Sequence, residues 1–216
     1  MKRISVLALA IICILGSAYG VSKVLHSYST YIEDSIRSKI SQEQEITNQD
    51  NKELYNFIEK VMDKVKANVS PSKKEIIINK ILGVANKFLN TTEKKQAFII
   101  ILSIESKFNQ ESKSPVGAIG IGQIMIPYFK EFAKTCNLIF DIKDIYDIDA
   151  NLAVSACHFN KLIDDSGNVL LAVAAYNAGA NSHAFKTLKK LGNINQETSN
   201  YVARFAYVKS VISEDK

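Results

Sequence analysis

Glu105 and the glycine-rich stretch that follows it are the residues of this chain best suited to chemistry. Gln96 to Phe108 reads as a helix. At ~100° per residue, Ala97, Phe98, Ile101, Ile104 and Phe108 trace an apolar arc that contains Glu105. A carboxylate on a core-facing arc is unfavourable unless it is paired or neutral. Desolvation raises its pKa toward the range where it holds a proton at neutral pH and can pass it to a leaving group. The competing reading is a helix-end glutamate satisfied by the next loop. Gly117, Gly120 and Gly122 follow within six residues, then Gln123 and Met125. Glycines at this density admit positive φ and close approach of backbone to a ligand or another segment. A phosphate cradle is excluded, because no Gly-Lys-Ser/Thr ends the loop and no strand pattern precedes it.

Four ordered motifs extend this picture: Glu105-Ser106-x-Phe108; Ser114-x-x-Gly117-Ala118-x-Gly120-x-x-Gln123-Ile124-Met125; Ala175-Tyr176-Asn177-Ala178-Gly179; and Glu197-Thr198-x-x-Tyr201-Val202. Together they resemble the lytic transglycosylases with the soluble, goose-lysozyme-like catalytic domain, over roughly residues 75 to 212. The resemblance implies an enzyme that cleaves the β-1,4 bond between N-acetylmuramic acid and N-acetylglucosamine in peptidoglycan. It implies Glu105 as the single catalytic group, acid first and base second, with the C6 hydroxyl of muramic acid closing a 1,6-anhydro ring. Ser114 and Gln123 would then hydrogen-bond the sugar, Met125 would pack on it, and Tyr176 would stand near the reacting centre. Glu197 and Tyr201 would line the groove, while Asn177 and Gly179 shape their turn. Each has a plainer alternative: Ser114 caps a turn before Pro115, Met125 is core, and Tyr201 is a buried aromatic with one satisfied hydroxyl.

Most glycosidases use two carboxylates, and one obvious candidate here is consistent with the implied mechanism, although Glu111, Asp141, Asp144 and Asp147 remain available as a second. A lysozyme-type hydrolase is therefore the alternative within enzymes, and a non-catalytic cell-wall-binding module the alternative outside them. Where the family often reads Asn-Ile-x-x-Gly-x-x-Tyr-Leu, this chain departs from Asn151 onward with Ser155 and His158, so different packing is expected there. His26, His158 and His183 are scattered without a carboxylate-histidine cluster of metal spacing, and no nucleophile with its base is recognisable. No metal and no cofactor is expected.

The elements that must position these residues read as almost all helical, a lysozyme-like α domain, α+β at most, with a short hairpin at the glycine loop. Leu54, Phe57, Ile58, Val61, Val65 and Val69 form an amphipathic stripe. Ser70-Pro71 fits a cap and first helical position for a helix to about Leu89, and Asn90-Thr91-Thr92 breaks the chain before the Glu105 helix. Further helices are expected over Pro127 to Asn137, Asn151 to Ile163, Leu170 to Ala178, Ser182 to Leu191 and Glu197 to Ile212. Ser22 to Asn51, polar and with weak helical spacing, reads as a tether or marginal helix. The domains expected are 1–20, 21–70 as tether and amphipathic helix, and 71–216 as the catalytic domain.

Lys2 and Arg3, an apolar run from Ile4 to Leu15 and small residues to Gly20 have the layout of an export signal cleaved after Ala18 or Gly20; an uncleaved membrane anchor is the competing reading. Either places the domain in the periplasm or cell envelope, and residues 22 to 70 are the candidate contact for an envelope assembly partner. Loss of the segment leaves 25 basic against 22 acidic residues, a net charge of +3 in place of +5. Those charges are scattered, which argues against nucleic acid. Cys136 and Cys157 remain, a pair able to bridge in an oxidising compartment if geometry allows. The rest of the composition, 47% hydrophobic and 23% charged, is that of a globular protein.

Overall fold

The computed structural model describes residues 18–179 and 195–214, with side chains from residue 29 onward. Most of the expected export segment, the helix expected over Ser182 to Leu191, and His183 lie outside the described residues. The chain divides into two units, Met1–Asp50 and Asn51–Lys216.

Helix α1, Ala18–Lys64, is continuous over 47 residues. Ser22 to Asn51 is therefore regular helix and not a tether: no glycine or proline interrupts residues 21–70. Tyr31, Ile36 and Ile46 are exposed along it. Among the described residues no helix is long and apolar enough to cross a membrane.

In the second unit, the C-terminal turns of α1 belong to the domain and do not precede it as expected. Leu54, Ile58, Val61 and Met62 are buried in the same core as Phe98 and Phe159. The reason is that an apolar stripe stays in water only at a cost of ~25 cal/mol per Å² left exposed. Helix α2, Pro71–Phe88, starts at Ser70, which holds the cap position without a side-chain cap bond. Helix α3, Thr92–Ser106, is capped by Thr91, whose side chain accepts the Lys94 N–H at 3.3 Å. Strands β1, Ala118–Ile119, and β2, Ile124–Met125, pair antiparallel with Ala118 opposite Met125.

Helix α4, Ile126–Thr135, and a 3₁₀ segment, Ile142–Tyr146, lead to α5, Ile148–Ser166. Asp147 caps α5 by accepting the Ala150 N–H at 2.9 Å, and Gly167 ends it in the left-handed region. Helix α6, Val169–Ala178, is short and apolar, capped by Asn168, and α7, Gln196–Glu214, closes the described chain. Helix α5 packs against α2, α4 and α6, and α7 against α3 and α6. The described residues are thus mostly helical, with one hairpin of two two-residue strands among them.

Two apolar clusters meet within this unit. The larger takes in Phe98, Ile101, Phe108, Leu152, Phe159 and Tyr201. The smaller holds Ile119, Ile124, Phe129, Ile145 and Val154 beneath the hairpin. Tyr176 packs against both, at their seam. A disulfide between Cys136 at the end of α4 and Cys157 on α5, Cα atoms 6.1 Å apart, ties the smaller cluster to the larger helix array.

Candidate active site

Glu105 lies in the last turn of α3, where the helix stops because Lys107 and Phe108 both take left-handed backbone, φ 50° and 64°. That conformation is unfavourable for an aromatic residue. It is held because Phe108 is fully buried and the Lys107 carbonyl accepts the Asn68 N–H at 3.0 Å. The stop leaves the Glu105 side chain half-buried, with one oxygen accepting the Tyr201 hydroxyl at 2.7 Å. Burial pushes the Glu105 pKa up to about 7, against the pull of the Tyr201 bond, which favours the charged form. Near neutral pH this carboxyl is therefore divided between acid and base. Glu105 in turn disfavours ionisation of Tyr201 and Tyr176, both already raised by burial.

The glycine loop is built around helix α5. The buried Asn151 side chain accepts the Gly122 N–H at 2.9 Å and donates to the carbonyls of Ile119 at 3.0 Å and Ile145 at 3.1 Å. Gly120, φ 78°, leaves no room for a side chain against Asn151, and at Gly122 a Cβ would overlap the Ser155 hydroxyl. Ser106, beside Glu105, donates to the Ile121 carbonyl at 2.8 Å. Tyr176 donates to the Gly122 carbonyl at 2.8 Å. The loop is thus held on one side by the Glu105 helix and on the other by α5 and α6.

Ser114 turns its hydroxyl inward, accepting the Ala118 N–H at 3.0 Å, which is the turn-capping role open to it. Gln123, itself left-handed at φ 49°, donates through Nε2 to the carbonyls of Gly120 at 2.8 Å and Ser112 at 3.2 Å. Gln123, Met125 and Tyr176 line one cleft of about 480 Å³, with Phe132 and His158 on its wall and Asn177 in its lining. The Phe132 and His158 rings stack with centroids 3.7 Å apart. Burial lowers the His158 pKa to about 4, so the imidazole is neutral at ordinary pH. Glu105 is not among the residues lining this cleft, but its charge acts on Tyr176, which is.

Glu197 is exposed in the first turn of α7, one turn before Tyr201, and is not among the residues lining that cleft. Sequence reasoning missed the roles of Asn151 and Ser155, although their place opposite closely spaced glycines was a signal that something packs there. It also set His158 aside, and nothing local to His158 announces its stacking on Phe132. Of the other acidic residues, Glu111 pairs with Lys73 at 3.4 Å, and Asp144 accepts the Asp141 N–H at 2.8 Å. Asp147 caps α5. No other carboxylate contributes to the displaced ionisation of Glu105. Among the described residues no group of three His, Cys, Asp or Glu is placed to hold a metal ion.

The site is thus one half-buried carboxyl at the end of a core helix, accepting the hydroxyl of a tyrosine from α7. A family model described as the transglycosylase SLT domain matches residues 86–199, and the chain belongs to that family. The chain is similar in fold to the X-ray structure of an inactive mutant of the lytic transglycosylase Slt from Pseudomonas aeruginosa, with a TM-score of 0.51 and 21% identity. That match covers 63% of this chain and 24% of the other, so the chain spans about a quarter of the length of that protein. No curated protein gives a significant match.

The Tyr201 bond yields a direct test. Tyr201→Phe removes a donor that favours the carboxylate, so the Glu105 pKa rises above about 7. The limb of the pH–rate profile that reports Glu105 is expected to move to higher pH by about one pH unit, the size of one charge-assisted bond. An unmoved limb in a folded variant would separate Tyr201 from the ionisation of Glu105.

Proposed function

We propose that the protein is a peptidoglycan lytic transglycosylase, cleaving the β-1,4 bond between N-acetylmuramic acid and N-acetylglucosamine with Glu105 as its single catalytic carboxyl. The observation that carries this reading is the placement of Glu105, partly buried at the end of α3 with one oxygen accepting the Tyr201 hydroxyl at 2.7 Å, where burial pushes its pKa up to about 7. Two-carboxylate glycosidases hold the pair about 5–5.5 Å apart when retaining and about 6.5–9.5 Å apart when inverting. Asp144 and Asp147 are engaged in helix caps and Glu111 in a surface ion pair.

In the proposed reaction the protonated Glu105 delivers its proton to the bridging oxygen as the glycosidic bond breaks. The resulting carboxylate then takes the proton of the muramic acid C6 hydroxyl, whose oxygen closes on the anomeric carbon. The glutamic acid is regenerated, no water is consumed, and the products are a 1,6-anhydro-muramic acid end and a free N-acetylglucosamine hydroxyl. A pKa near 7 suits both halves, since the same group must give and take a proton at one pH. Gln123, Met125 and Tyr176, brought to one cleft, support a groove for the glycan. A substrate of this kind lies in the cell envelope, in keeping with the export layout of residues 1 to 20.

Digestion of purified sacculi, followed by mass spectrometry, tests the reading. Fragments are expected to end in anhydro-muramic acid, lighter by one water than hydrolysed ends. Exclusive recovery of reducible, hydrated ends would assign the chain to the lysozyme-type hydrolases, and binding to sacculi with no released fragment would assign it to wall-binding modules.

A further inference from the structure

One wall of the cleft is a helix with little anchorage of its own. Helix α4 has ten residues, starts at Met125 without a side-chain cap bond, and has Phe129 and Ala133 as its buried residues. A helix of this length does not hold itself in water, so packing and links to its neighbours fix where it lies. From it Tyr128, Glu131 and Phe132 line the cleft, and Phe132 stacks on His158 of α5.

The disulfide stands directly beside that stack. Cys136 follows Phe132 by one helical turn, its N–H donating to the Phe132 carbonyl at 3.1 Å, and Cys157 immediately precedes His158. One covalent link therefore joins the backbone next to both rings. It does so where α4 ends and the chain turns away through Asn137, φ 54°. Neither cysteine is sealed in the core, which leaves the bridge open to thiol–disulfide exchange. His158 also belongs to the stretch where this chain departs from the family pattern, so the stack beside the bridge is a feature of this chain and not of the motif.

We propose that the Cys136–Cys157 bridge is a positioning link that makes glycan binding, and with it cleavage, depend on thiol oxidation. Bridged, α4 holds Phe132 against His158 and the cleft wall is preformed; as two thiols, the end of α4 is released and the wall must be ordered by the glycan itself. The exchange is balanced by a disulfide oxidant. A Cys136 or Cys157 thiolate attacks one sulfur of the oxidant and displaces the other as a thiol, and the remaining cysteine thiolate then resolves the mixed disulfide. Two protons and two electrons leave the cysteines, and the oxidant departs as two thiols. A chain that reaches an oxidising envelope thus gains its full affinity there. The inference rests on the proposed function's reading of this cleft as the glycan groove.

The probe is soluble, uncrosslinked glycan strands titrated by calorimetry into the full-length Glu105→Gln variant, so binding is read without turnover. The protein is compared after treatment with glutathione disulfide and after a dithiol reductant, with alkylation and peptide mass spectrometry reporting the state of Cys136 and Cys157. Reduction is expected to lower Tm by about 6–12 °C, the effect of opening a loop of this size. Well below both transitions it should weaken binding about three- to tenfold, the cost of immobilising one wall side chain on binding. In the wild type the same factor should appear in KM, with kcat held within about twofold, because Glu105 and Tyr201 lie on α3 and α7, which the bridge does not join. Cys136→Ala/Cys157→Ala should bind as the reduced chain does and ignore the reductant. Phe132→Leu should weaken binding by a similar factor in the bridged chain, and reduction should then add little to it, whereas a bridge with only a structural role gives additive effects. The Phe132 variant keeps its bridge, so it reads the wall even where reduction unfolds the chain. Both cysteines alkylated after glutathione disulfide, equal binding by the folded bridged and reduced chains, a reductant response persisting in the double cysteine variant, or unchanged binding by Phe132→Leu would each overturn the inference. Oxidation-dependent binding without cleavage by the wild type defeats the enzymatic reading alone, and cleavage with affinity indifferent to oxidation defeats this one alone.

Discussion

Glu105→Gln is expected to reduce glycan cleavage by at least the 10²- to 10⁴-fold typical of a lost general acid, while the folded protein becomes no less stable at neutral pH. The amide fills the same space and can still accept the Tyr201 hydroxyl, but it carries no proton to give and cannot take one back. The sign of the stability effect follows from the ionisation. In the folded protein the carboxyl has a pKa of about 7 against an ordinary 4.5. The fold therefore prefers the protonated form, and the contribution of this group is fully present below pH 4.5 and lost as pH rises through 7. Above that pH the buried charge weighs against folding by on the order of 3 kcal/mol. The Gln variant does not titrate, so its Tm relative to wild type should climb between pH 4.5 and 7 and then level off. Measuring turnover on sacculi and Tm across this pH range checks both halves. Near-normal turnover by the folded variant removes Glu105 from the mechanism. A Tm difference independent of pH removes the displaced ionisation.

The second large effect is expected at Gly122. A methyl group there overlaps the Ser155 hydroxyl and comes 2.7 Å from Ser155 Cβ. Ser155 is fully buried on α5 and donates to the Asn151 carbonyl at 2.7 Å, so it has nowhere to retreat. Gly122→Ala must therefore push the loop away from α5, straining the bond from Gly122 to Asn151 and the bond from Tyr176 to the Gly122 carbonyl. Overpacking of this kind costs about 1–3 kcal/mol, or about 2–4 °C in Tm per kcal/mol for a chain of this size. Activity should fall further than folded protein does, because the displaced segment carries Gln123 and abuts Tyr176. Ser155→Gly opens the space, so the double variant should recover most of both losses, with a coupling energy of about 1–3 kcal/mol in the cycle. Additive losses would show that the Gly122–Ser155 approach does not hold the loop.

Much of the fold was legible because helices are written locally. The stripe from Leu54 to Val69, the Ser70-Pro71 start and the Asn90-Thr91-Thr92 break each concern residues within one or two turns of each other. The last two correspond to α2 and α3 with ends displaced by a few residues, while the stripe falls on the C-terminal turns of the much longer α1. The hairpin was legible from glycine spacing alone. Periodicity was also enough to set Glu105 on a core-facing arc, which is the condition for a raised pKa. For residues 22–51 the same local reasoning left tether and marginal helix both open, and the chain there is helical, with no glycine or proline to break it.

What the chain alone left open were the meetings of residues distant in sequence. Tyr201 lies 96 residues after Glu105, and only the packing of α7 on α3 brings the hydroxyl to the carboxylate. Asn151 spans 29 residues back to Gly122, and the stack of Phe132 on His158 exists because α4 packs on α5, where Cys136 and Cys157 also meet. The physical reason is that a sequence pattern records which side of its own helix a residue occupies. Which helix that side meets is set by the burial of all the apolar faces together, and distances of 2.7–2.9 Å between polar atoms follow only from that joint solution.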